Sequence, residues 1–172
     1  AYSAVEDGAS EVRLFNLASW RSATLARLPA GASNLSWSPD GKTLAFQGFV
    51  KEAGAQPAPL PPKPEGATWA EPVKVYDTIN YRSDGSGLVD SGYTQIFVLP
   101  IDGGTPRQLT FQARNHDGRL SWTPDGKTLL FPIYPSRADR TKGKGPAGAG
   151  GGVALGLMNL GDGNVTRIDR VR

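Results

Sequence analysis

The sequence contains no cysteine, so a disulfide framework and a thiolate-held metal are both closed to it. A single histidine, His116, also rules out a multi-histidine zinc site. No apolar run approaches the roughly 20 residues that a bilayer-spanning helix needs. Nor is there a Gly-x-Ser-x-Gly pentapeptide, the strained turn that presents a nucleophilic serine on an α/β-hydrolase sheet. Residues 31–35, GASNL, fail at the last position and lead into a strand pattern rather than a helix. No secretory leader is visible, and the first residue is Ala1 rather than Met, which reads as a processed chain or a piece of a longer one.

Charge is nearly balanced: 19 basic against 16 acidic residues give a net +3. The densest basic group, Arg137, Arg140, Lys142 and Lys144, includes Asp139 and sits in a Gly-rich run. A nucleic-acid footprint needs a continuous basic face with interleaved aromatics. No nucleic-acid partner is expected, and the group reads as a solvated loop. Glycine (22) and proline (14) together make about a fifth of the 172 residues, while apolar residues reach only 38%. That balance favours many turns and short strands over long helices.

What the chain does have is repetition. Residues 36–46 read SWSPDGKTLAF and residues 121–131 read SWTPDGKTLLF, nine of eleven letters matching at a spacing of 85. Leu35 and Trp37 alternate with serines as a half-buried strand does. Pro39-Asp40-Gly41 supplies turn chemistry, since Pro presets φ, Asp bonds nearby backbone and Gly accepts positive φ. Residues 42–46 return as a second alternating strand, so each copy is a β-hairpin. A second kind of hairpin lies between the copies at residues 95–110, QIFVLPIDGGTPRQLT. Cousins of it precede the first copy, at residues 12–28, and follow the second, at residues 155–168. The order of kinds is therefore two, one, two, one, two.

Alternating hairpins, about 40 residues per four strands, are the signature of propeller blades. The fold class read from the sequence is all-β: a β-propeller fragment of two to three four-stranded antiparallel blades, spanning residues 1–172. The doubled spacing is explained by an insertion at residues 50–92, opening on a proline-rich spacer (PAPLPPKP) with a strand expected around residues 73–76. A second insertion, residues 136–152, ends GPAGAGGG and reads as a flexible loop. Five hairpins make about two and a half blades against the four to eight of closed propellers. Further blades are expected in a parent protein.

The sentences SWSPDGKTLAF and SWTPDGKTLLF resemble the propeller repeats shared by TolB and by the prolyl oligopeptidase family of serine peptidases. The segment from PPKPEGATWAEPVKVYDTINYRSDGSG to IFVLPIDGGTPRQLTF resembles bacterial acylaminoacyl-peptidase-like and dipeptidyl-aminopeptidase-like members more specifically. The resemblance implies a propeller that covers the active site of a C-terminal α/β-hydrolase domain, restricts entry to short peptides and leaves the Ser-Asp-His chemistry to that domain. The partners it implies are the remaining blades, the hydrolase domain and a short peptide, with no cofactor. Export to the periplasm or beyond is favoured over the cytoplasm on the same ground. The alternative is a TolB-like propeller acting as a protein-binding module of the cell envelope. A propeller carbohydrate lyase fits less well, because its metal would want several histidines.

Within these residues no catalytic set is expected. His116, in the polar stretch QARNHDGRL, reads as a surface loop histidine. Asp40 and Asp125 read as turn formers, and Trp37 and Trp122 as packing between blades. Gly148 to Gly152 lacks the Lys-Ser/Thr and the helix of a phosphate loop. Asp84, Ser86 and Asp90 lack the register and bidentate Glu of a calcium loop. The insertion, however, concentrates recognition-type side chains: Trp69, Glu71, Tyr76, Asp77, Tyr81 and Arg82. In related dipeptidyl peptidases, propeller carboxylates anchor the substrate amine. By that resemblance Glu71, Tyr81 and Arg82 are the substrate-binding candidates, through charge-assisted hydrogen bonds to a peptide terminus. The competing role is to tether the insertion.

Overall fold

The computed structural model describes residues 1–52, 61–68, 75–76, 82–85, 87–135 and 153–169. Among these the regular structure is all strand. Strands β1 (Tyr2–Glu6), β2 (Ala9–Asn16) and β3 (Arg21–Leu28) form a sheet in the order β1-β2-β3. Strands β4 (Ala32–Trp37), β5 (Thr43–Lys51), β8 (Gly92–Pro100) and β9 (Arg107–Gln108) form a second, in that order. Strands β10 (Ser121–Trp122), β11 (Thr128–Ile133), β12 (Ala154–Asn159) and β13 (Val165–Ile168) form a third. A small hairpin joins β6 (Arg82–Ser83) and β7 (Gly87–Leu88). The chain divides into two compact units, Ala1–Val50 with Tyr93–Arg172, and Lys51–Gly92.

The two four-stranded sheets are the blades, and the repeated sentence makes the first hairpin of each. Its turn is stapled by side chains. Ser38 Oγ donates to Asp40 Oδ1 at 2.6 Å and accepts the Thr43 N–H at 2.9 Å. Asp40 Oδ1 also accepts the Lys42 N–H at 3.1 Å. In the second copy Thr123 Oγ1 donates to Asp125 Oδ1 at 2.6 Å, and the Lys127 and Thr128 N–H groups close the same loops at 3.0 and 3.1 Å. Gly41 and Gly126 both sit at φ 69°, a left-handed position that explains the glycine. The hydroxyls hold both carboxyls below the usual aspartate range, with the backbone N–H groups adding to the effect. One more contact repeats: the Lys42 carbonyl accepts the Ile101 N–H at 2.9 Å, and the Lys127 carbonyl accepts Leu160 N–H at 3.0 Å. The lysine thus ties the two hairpins of a blade together through its backbone, whatever its side chain does.

The core lies between sheets. Val12, Ala26, Ala32, Leu44, Phe46 and Leu99 fill the space between the first and second. Ala45, Ile96, Val98, Leu129, Phe131, Ile133 and Met158 fill that between the second and third. The period of two is visible along β5, where Leu44 and Phe46 face one cluster and Ala45 the other. Full burial of such a side chain contributes about 1.5–3 kcal/mol. Buried Glu11 is fully answered, by Arg13 Nε at 2.8 Å, Arg27 Nε at 2.9 Å and Thr24 Oγ1 at 3.0 Å.

Gly156 marks the tightest point. It pairs with Phe131 across β11 and β12, and a Cβ there would stand 2.8 Å from the Phe131 ring and 2.9 Å from Ile133 Cδ1. Gly156→Ala is expected to lower the unfolding free energy by about 1–3 kcal/mol, read from urea denaturation, because neither neighbour has room to give way.

Two details differ from the sequence-based expectation. The first hairpin begins earlier: β1 pairs with β2 through the two-residue turn Asp7-Gly8, at φ 51° and 77°. In the insertion, the described residues of the expected strand, Val75 and Tyr76, lie in no strand, and residues 73 and 74 fall outside the described residues. The Gly-rich stretch 136–152, with its basic group, falls outside them as well.

Candidate functional site

The innermost strands of the two complete blades, β4 and β10, are the free edges of their sheets and lie side by side. A groove of about 630 Å³ opens between them. Asn34, Ser36 and Trp37 line it from one side and Arg119, Ser121 and Trp122 from the other. The local sequence explains the shape. Asn34 adopts φ 50°, and the register of β4 against β5 slips between Ser33 and Ser36, a bulge that turns the strand. Asn34 Nδ2 donates to Gln47 Oε1, and Gln47 Nε2 donates to the Gly118 carbonyl at 2.7 Å. Above this link the Trp122 indole N–H donates to the Ser36 carbonyl at 3.3 Å, joining the two inner strands directly.

Arg119 is exposed, makes no ion pair with any described residue, and no acid lines the groove. The wall therefore offers a cation, indole faces and strand-edge backbone groups. That set can hold an extended or anionic group by hydrogen bonds and charge. It contains no nucleophile–base pair. Trp122 packs against the core between blades, as expected for its place in the repeat, but Trp37 differs and is 38% exposed.

His116 corrects the surface-loop expectation, since it is buried at 3% exposure. The polar linker is folded back onto β8: the His116 N–H donates to the Thr94 carbonyl at 2.8 Å, and Gln95 Nε2 donates to the Gln112 carbonyl at 2.8 Å. The ring meets Phe131 edge-on at 5.5 Å, and Nε2 lies 3.0 Å from Gln112 Oε1. With that carbonyl as acceptor Nε2 carries the proton, and Nδ1 is buried with no partner among the described residues. Burial, reinforced by the Arg114 charge and opposed by Asp117, pushes the pKa down to about 4. A neutral ring bonded to an amide, beside a small cavity of about 180 Å³, is not arranged as a triad base.

Of the sequence candidates, Glu71 and Tyr81 lie outside the described residues. Arg82 opens β6 and is exposed, opposite Leu88 in the small hairpin of the Lys51–Gly92 unit. That unit is closed at its ends by a Lys51–Asp90 ion pair at 2.8 Å and by the Glu52 N–H on the Ser91 carbonyl at 2.8 Å. Of the three candidates only Arg82 is thus placed among the described residues. The groove residues were missed, although the repeated Trp at the same place in each sentence was the signal that pointed to them.

No family model matches the chain. It is 29% identical over 134 residues to an uncharacterized peptidase of Bacillus subtilis, covering 78% of this chain and 20% of that protein. In structure it resembles an acylaminoacyl peptidase solved with a peptidyl chloromethyl ketone, at a TM-score of 0.58 and 12% identity, over 98% of this chain and 22% of the other. It also resembles TolB of Acinetobacter baumannii, at a TM-score of 0.51 and 18% identity, over 96% of this chain and 28% of the other. The chain thus spans between 20% and 28% of the length of these three proteins. At these identities the structural likenesses are likenesses of fold, and the fold is that of a β-propeller segment.

Proposed function

We propose that this chain is the non-catalytic propeller part of a serine exopeptidase or oligopeptidase. It gates and positions short peptides for an α/β-hydrolase domain that lies in the parent protein. The similarity to the Bacillus peptidase, at 29% identity over 78% of the chain, carries the reading, and the fold shared with an acylaminoacyl peptidase supports it. The groove wall of Arg119, Trp37 and Trp122 suits peptide passage and supplies no bond-breaking group. Glu71, Tyr81 and Arg82 are proposed to contact the peptide terminus from the insertion.

The test is kinetic. The 172-residue chain alone is expected to leave aminoacyl and short-peptide chromogenic substrates unhydrolysed, while the parent protein cleaves them and loses activity when the serine of its Gly-x-Ser-x-Gly is replaced. In that parent, alanine at Glu71, Tyr81 or Arg82 is expected to raise KM about tenfold with kcat less affected, the loss of one charge-assisted bond. Unchanged parameters in all three would sink the terminus-anchoring role. The TolB likeness supports a second reading, a protein-docking module, which predicts a parent with no hydrolase domain and no hydrolysis at all.

A further inference from the structure

Between the second and third blades a cavity stays open, and its cause is local. β9 ends at Gln108, and the chain beyond it folds back over β8. There the Thr110 hydroxyl accepts the Ile96 N–H at 2.9 Å, and Gln95 Nε2 holds the Gln112 carbonyl at 2.8 Å. On the third blade Phe131, Gly156 and Arg167 stand in register across β11, β12 and β13, with no side chain at the centre of the row. The Phe131 ring and Ile133 Cδ1 lean over Gly156, 2.8 and 2.9 Å from where a Cβ would stand. A cavity of about 180 Å³ is left between the folded-back linker and β13.

Its lining has two characters. Phe131, Ile133 and Val165 are apolar, and Val165 shares the face of its cross-strand pair Met158, the side that carries the core between these blades. Arg114 from the linker and Arg167 from β13 add two guanidinium groups, with Gln112 and Thr110 as further donors, and no acid belongs to the lining. Arg167 is answered by Asp169 at 2.7 Å, whereas Arg114 is half-buried and makes no ion pair with any described residue. His116, buried in the same lining, has an Nδ1 with no partner among the described residues. A guanidinium and a buried imidazole nitrogen, both unanswered, thus belong to residues around one cavity. An apolar cavity of about 150 Å³ holds benzene, so this one has room for a single ring or branched chain.

We propose that this cavity binds a small monocarboxylate with an aromatic or branched apolar body, its carboxylate on Arg114 and Arg167 and its apolar part against Phe131, Ile133 and Val165. A free acid and the last residue of a peptide share that chemistry. The site lies between two blades that are both present in this chain, and it stands independently of the peptidase reading. His116 reports its occupation. Burial first, and the Arg114 charge second, hold the ring neutral, with Asp117 opposing. Arg167 and Asp169 on β13 already pair with each other. A carboxylate against Arg114 cancels the second cause, so binding raises the His116 pKa.

Benzoate titrated into the 172-residue chain tests the proposal, read by NMR from the ring protons of the single histidine. The His116 and Val165 signals are expected to shift saturably, and the His116 pKa to rise from about 4. Benzamide, the same shape without the charge, is expected to bind roughly tenfold more weakly, as is benzoate to Arg114→Gln. N-Acetylphenylalanine separates the two sources: binding tighter than benzoate assigns the site to a peptide end, and weaker binding assigns it to a free acid. Benzoate that leaves both signals unmoved would overturn the proposal, and so would equal binding of benzamide or undiminished binding to Arg114→Gln. Movement confined to the indoles of Trp37 and Trp122 would overturn it too, because the carboxylate would then belong to the groove beside Arg119. Hydrolysis plays no part in the titration, so either result leaves the peptidase reading to its own test.

Discussion

Phe131→Ala is expected to lower the unfolding free energy by about 3–5 kcal/mol, seen as a large fall in the urea midpoint with little change in slope. Phe131 is 1% exposed and packs among Ile96, Val98, Leu129, Ile133 and Met158 between the second and third blades. The cavity left by its ring has no neighbour able to fill it. Gly156 on the paired strand offers only hydrogen, and the His116 ring that touches Phe131 edge-on is held from behind by Gln112 and Thr94. Phe46→Ala, the same letter of the first sentence, is the matched comparison. Phe46 stacks on Phe97 with centroids 5.5 Å apart and planes at 11°, so its loss removes a ring pair as well as buried area. Because small domains hold only about 5–15 kcal/mol in total, either variant leaves a chain close to unfolding. A loss below about 1 kcal/mol for Phe131→Ala would mean that the two blades do not share a core.

These two phenylalanines close the repeated sentence, and the sentence was the legible part of the fold. Period-two alternation, turn chemistry and repetition are local signals, so β4, β5, β10 and β11 and their turns could be read from eleven letters each. What escaped was set by contacts distant in sequence. Residues 2–6 carry a weak alternation, and the Asp7-Gly8 turn signal was overlooked beside stronger hairpins. The second strand after the DGG turn shrinks to Arg107–Gln108 because the Thr110 hydroxyl, rather than a backbone carbonyl, accepts the Ile96 N–H at 2.9 Å. Trp37 and Trp122 have nearly identical local sequence, yet among the described residues only Trp122 finds an acceptor, on a strand 86 residues away that no local pattern encodes. The site candidates in the insertion rested on composition and resemblance alone. Of them only Arg82 lies among the described residues, exposed on a two-residue strand.

His116 was misread for the same reason, and it gives the second large expected effect, a loss of stability in mild acid. The polar letters around it suggested solvent, whereas the backbone bond to Thr94 and the Phe131 ring place it inside. Its folded pKa, about 4, lies below the ordinary 6.5, chiefly through burial. The neutral ring therefore contributes stability that is complete above pH 6.5 and is lost as the pH falls towards 4. The arithmetic of linkage gives a loss of about 2 kcal/mol by pH 5 and on the order of 3 kcal/mol once the pH is below 4. Asp40, Asp125 and Asp162 are also stabilised in the charged form, but their ordinary value is 3.8, so their contribution fades mainly below the histidine window. Urea midpoints between pH 7 and 4.5 are expected to fall steadily in the native chain and to be much flatter in His116→Gln. As the sequence has one histidine, its ring protons give the pKa directly by NMR, free of any question about the variant's folding. The two large effects are coupled through one contact: Phe131→Leu, which thins the wall beside the ring while keeping a core side chain, should raise the His116 pKa towards 6.5. A value near 6.5 already in the native chain would show the ring to be solvated, and with it the linker unfolded from β8.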